Sequence, residues 1–144
     1  MSPRSWIPTV LRARQAQEDL VAQRVAVARR DASQATIEHL GHEQRVAGME
    51  SAMSQTTQAF QASLAAQQAA AATLAAARNR VLFAESRVVS GLADLTSAAR
   101  SRRTMEKLHE RDREAELSTV ASNTQRELDE ISISRHRARS RKVS

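Results

Sequence analysis

The residues best suited to chemistry sit in two clusters. His39 and His42, beside Glu38 and Glu43, offer two metal ligands on neighbouring helical positions. A closed metal site takes three or four ligands, so this cluster reads as an exposed polar helix face. The second cluster is RRTMEKLHERDREAE, residues 102 to 116, where charged side chains and His109 fill eleven of fifteen positions. Opposite charges recur three residues apart at Arg103/Glu106, Lys107/Glu110, Glu110/Arg113, Arg111/Glu114 and Arg113/Glu116. On an exposed helix each such pair stabilises by roughly 0.2–0.5 kcal/mol, enough to support a solvated helix on its own. Such a surface suits a lone helix, a nucleic-acid patch or one face of a larger machine. The chain carries no glycine-rich phosphate loop, no cysteine nucleophile and no carboxylate pair that a cleft would desolvate. The expectation is a protein that is not an enzyme and needs no cofactor or metal.

Composition sets what must hold these clusters in place. Aromatic residues make up 2% of 144 residues, with three glycines and two prolines. Trp6, Phe60 and Phe83 are the only aromatics, and alanine is the main apolar residue, so the large side chains that fill a spherical core are missing. An all-α, thin architecture follows. The absence of cysteine excludes disulfides and fits a reducing cytosol. Residues 1 to 20 lack the apolar core of a signal peptide and no run of eighteen apolar residues occurs, so a soluble chain is expected. Of the net charge of +6, five positive charges are Arg135, Arg137, Arg139, Arg141 and Lys142, after the last acid, Glu130. No aromatics interleave them to stack on bases, which argues against a nucleic-acid arm.

The elements follow from spacing and punctuation. A first helix is expected over about 8–47, since Pro8 is tolerated in a first turn and none follows it. Val21, Val25, Ala28, Ala32 and Ala35 recur at spacings of 4, 3, 4 and 3, one stripe of a helix. Gly48 is the natural stop signal, and the Ser/Thr-rich run after it, with no capping box, predicts a turn over about 48–56. A second, longer helix is expected over about 57–136, followed by a basic tail over 137–144. Leu74, Ala77, Val81, Ala84, Val88, Gly91, Leu95 and Ala98 alternate spacings of 3 and 4 without a miss, a coiled-coil repeat. A short turn brings the two stripes together as an antiparallel coiled-coil hairpin, one domain over 1–144. Between them, residues 51 to 77 carry no charge, and eleven alanines lie between Thr57 and Arg80. Such a strip reads as a good helix former, or as a docking strip for a partner in which Phe60 and Leu64, one turn apart, would be the anchor.

Both ends of the sequence resemble a known family. WIPTVLRAR, residues 6 to 14, followed by Glu18, looks like the opening of the flagellar export protein FliJ family. The charged block, centred on Glu106-Lys107-Leu108 and Glu110-Arg111, is similar to that family's block late in its long helix, and ELDEI, residues 127 to 131, is similar to its close. The resemblance implies an antiparallel hairpin like the rotor stalk of rotary ATP synthases, seated in the hexameric export ATPase of the type III apparatus. It also implies contact with the export-gate membrane protein and with export chaperones, in the cytoplasm and peripheral to the inner membrane. Carried onto this chain, the pattern puts Arg12, Arg14, Arg102, Arg103, Glu106, Lys107, Glu110 and Arg111 against the ATPase. It leaves Phe60 and Leu64 for the gate or chaperones. The rivals are the equivalent stalk of a virulence secretion system, a basic coiled-coil nucleic-acid binder and a self-assembling structural coiled coil.

Overall fold

A computed structural model describes residues 6–49 and 56–142. They form two helices, α1 (Ile7–Met49) and α2 (Thr57–Lys142), with no strand among the described residues. The two pack against each other as a helical hairpin whose second helix is twice the length of the first, 86 residues against 43.

The helix ends differ from expectation for local reasons. Gly48 is helical rather than a left-handed stop, since no described glycine has positive φ, and α1 continues to Met49. The expected turn falls largely on residues 50–55, which lie outside the described residues. At the restart, the Ala59 amide donates to Thr56 Oγ1 at 3.2 Å, so Thr56 caps α2. The third helical position is Ala59, not Glu, which is why no capping box announced this cap. At the far end α2 runs on to Lys142, so residues 137–142 are helical. No proline or glycine interrupts them, and their arginines are good helix formers placed at the negative end of the macrodipole.

Residues Gln15–Arg100 form one compact unit. Here the two stripes read from the sequence are the buried ones: Val25, Ala28, Ala77 and Ala84 are the enclosed side chains, and the remaining stripe positions are half-buried. The helices run antiparallel. Asp31 faces Arg87 at 3.8 Å and Glu38 faces Arg80 at 4.0 Å, so seven residues forward on α1 correspond to seven back on α2. Small side chains let the backbones approach. A Cβ added at Gly91 would stand 3.1 Å from Val25 Cγ2. Threonine hydroxyls on the outer faces are satisfied within the helix, as with Thr36 donating to the Ala32 carbonyl and Thr73 to that of Ala69, both at 2.9 Å.

The first turns of α1, up to Arg14, and the α2 residues from Ser101 onward form a second unit. Ile7 is fully enclosed in it, the only large side chain so buried among the described residues. Leu11, Met105, Leu108, His109 and Asp112 are half-buried. From Arg113 to Ser140 every residue is exposed.

Candidate partner-binding surfaces

Within the second unit the charged block divides by helical face. Arg103, Lys107, Glu110 and Arg111 point to solvent, as do Arg12 and Arg14 on α1. Arg102 and Glu106 are different: both are half-buried, and the guanidinium of Arg102 is bonded to the Glu106 carboxylate four residues on. The seam explains this. Continuing the 3 and 4 spacing past Ala98 lands on Arg102, Met105, His109 and Asp112, so Arg102 occupies a seam position where its ion pair with Glu106 helps make partial burial tolerable. Sequence spacing pairs Glu106 with Arg103, three residues away; the bond made by Glu106 is four-apart and reaches Arg102 instead. As a readable surface, the block is therefore the exposed set of Arg103, Lys107, Glu110 and Arg111, with Arg102 and Glu106 bracing it from the side.

The first unit carries the other candidate surface. Phe60 and Leu64 are exposed, at 60% and 45%, in the charge-free opening of α2. Phe60 is held by the first backbone turn, its amide donating to the Thr56 carbonyl at 2.9 Å. A ring so exposed contributes nothing to the hairpin's own core, which leaves it available to a partner.

The histidine cluster lies elsewhere than the sequence suggested. His39 and His42 extend the α1 stripe, following Ala35 at spacings of 4 and 3 and preceding Val46 at 4, and both are half-buried. His39 Nε2 lies 3.3 Å from Glu43 Oε1, while its Nδ1 is buried without a hydrogen-bond partner. Together with Val46, Ala71, Leu74, Ala75 and Arg78, these two residues line a groove of about 550 Å³ between the helices. Alanines on the α2 side are too short to fill the space opposite an imidazole, and the groove results. Among the described residues, no three His, Cys, Asp or Glu side chains converge on a metal position. The sequence signal for a seam role is the unbroken spacing, which the polarity of imidazole masks.

Among the described residues, no helix is long and apolar enough to cross a membrane. Neither a curated protein nor a solved structure shows a significant match to the chain. A family model does: the one described as Flagellar FliJ protein matches residues 7–141, all of α1 and all but the last residue of α2. With the two-helix fold and a match over nearly its whole length, the chain belongs to the FliJ family, whose members are components of the flagellar protein export apparatus.

Proposed function

We propose that the protein is a central-stalk and escort component of flagellar type III export. In this reading one end of the hairpin occupies the pore of the hexameric export ATPase and stimulates it, while other surfaces reach the export gate and substrate chaperones at the cytoplasmic face of the inner membrane. The observation that carries this is the exposed charge set Arg103, Lys107, Glu110 and Arg111, supported by Arg12 and Arg14 and braced by the Arg102–Glu106 pair. A single asymmetric helix pair inside a six-fold ring cannot touch all six subunits alike. Its charges therefore bias their nucleotide states unequally, which is how a bound but non-catalytic element changes a hydrolysis rate.

Stimulation of ATP hydrolysis by the purified cognate ATPase tests the assignment. Arg103→Glu with Lys107→Glu reverses two exposed charges without touching the seam and is expected to abolish stimulation at unchanged helicity; undiminished stimulation refutes the surface. In the same assay Phe60→Ala with Leu64→Ala should leave stimulation intact but lower binding to the gate's cytoplasmic domain or to chaperones at least tenfold. Unaltered binding would count against that second surface.

A further inference from the structure

The exposed stretch of α2 has an order that a merely solvated helix does not need. Leu117, Ala121, Thr124, Leu128 and Ile131 succeed one another at spacings of 4, 3, 4 and 3, a single stripe along the helix. Leu117, Leu128 and Ile131 are all open to solvent, at 67%, 54% and 47%. Thr124 does not interrupt the stripe, because its hydroxyl already donates to the Val120 carbonyl at 3.0 Å. The stripe lies one position, about 100°, around the helix from half-buried His109 and Asp112, so it is a separate face from the seam.

Its ends are charged in opposite senses. The same cadence carried backward from Leu117 meets Glu114 and Glu110; carried forward from Ile131 it meets Arg135. Acidic at one end, apolar in the middle and basic at the other, the stripe is complementary to itself when reversed. We propose that its occupant is a second copy of this chain, the two α2 segments pairing antiparallel about a two-fold axis between Ser122 and Asn123. In that register Leu117 meets Leu128 of the other copy, Ala121 meets Thr124, and Glu110 meets Arg135. Glu114 comes beside Ile131, within a turn of the same arginine. A parallel pairing would stack Glu110 on Glu110 and Arg135 on Arg135, so charge alone selects the antiparallel arrangement.

The inference stands apart from the proposed ATPase contact, although the two compete for Glu110. A stripe of a few layers buries far less than a standard interface, so the dimer is weak, with Kd on the order of 10–100 µM. Sedimentation equilibrium of the full chain from a few to several hundred micromolar is expected to show mass rising from monomer to dimer. Leu117→Asp with Leu128→Asp should raise Kd more than tenfold. Arg135→Glu alone should weaken pairing several-fold, and Glu110→Arg added to it should restore the dimer. Circular dichroism confirms that each variant stays helical, which is expected because every altered side chain is exposed.

Geometry supplies the second reading. With no native cysteine, spin labels at Gln125→Cys should lie within roughly 25 Å across the dimer, whereas labels at Ser140→Cys should stand about 50 Å apart at 1.5 Å per residue. A monomer at every concentration, a dimer indifferent to the Leu117 and Leu128 changes, or a short distance at Ser140 would overturn the proposal.

Discussion

The seam of residues 15–100 and the terminal stretch 113–140 of α2 share the same 3 and 4 spacing yet place their bulk oppositely. In the seam the enclosed side chains are Val25, Ala28, Ala77 and Ala84, while Leu117, Val120 and Leu128 in the terminal stretch lie open to solvent. Burial in this seam thus goes to the small residues. Each enclosed alanine methyl contributes only about 0.8 kcal/mol, and what the seam gains is close backbone approach and many weak contacts. The terminal leucines contribute nothing comparable to the fold. Their size is spent on a surface, which marks that stretch as an element for association.

The comparison breaks most sharply if a charge is forced into each region. Ala84→Glu places a carboxylate and extra volume at an enclosed seam position, and should cost roughly 3 kcal/mol or more, enough to unfold a marginal hairpin. Leu117→Ser in the terminal stretch should change stability by less than about 0.5 kcal/mol at low micromolar concentration. Thermal unfolding followed by circular dichroism checks both. Comparable destabilisation by the two changes would show that the terminal stretch is structural after all.

A finer probe is Gly91, the one seam position without a side chain on α2. Gly91→Leu drives atoms into Val25 and should cost roughly 1–3 kcal/mol. Gly91→Ala pits a contact of 3.1 Å to Val25 Cγ2 against a helix-propensity gain of about 1 kcal/mol, so the two nearly cancel. Adding Val25→Ala to Gly91→Leu should recover part of the loss; no recovery would mean that some other neighbour sets the approach distance.

How much of this was written in the sequence differs between the same regions. The seam was legible from Val21 to Ala35 and from Leu74 to Ala98 because apolar residues alone mark every position, and spacing then fixes the face. Past Ala98 the seam continues through Arg102 and His109, and past Ala35 through His39 and His42. Polarity hid it there, since a half-buried side chain at a coiled-coil end can keep its charged or polar tip wet or paired while its stem packs. The cap at Thr56 was obscured by the surrounding run of serines and threonines, any of which could have served. The helical course of residues 137–142 leaves no hydrophobic period in the sequence, although its arginines neither break a helix nor oppose its dipole.

The smallest effect concerns the ion pairs that record the register. Asp31–Arg87 and Glu38–Arg80 span 3.8 and 4.0 Å between side chains that are all about half exposed or more. Screening and the entropy of holding long side chains in place leave roughly 0.2–0.5 kcal/mol for each. A double-mutant cycle of Asp31→Ala and Arg87→Ala should return a coupling in that range, shrinking further in 0.5 M salt. Swapping the two residues, Asp31→Arg with Arg87→Asp, should leave the unfolding midpoint within a degree or two, because the register is fixed by small residues at the seam and the charges merely follow it. A coupling well above 1 kcal/mol would reverse that order of causes and make electrostatics, rather than close packing of alanine, the determinant of how α1 lies on α2.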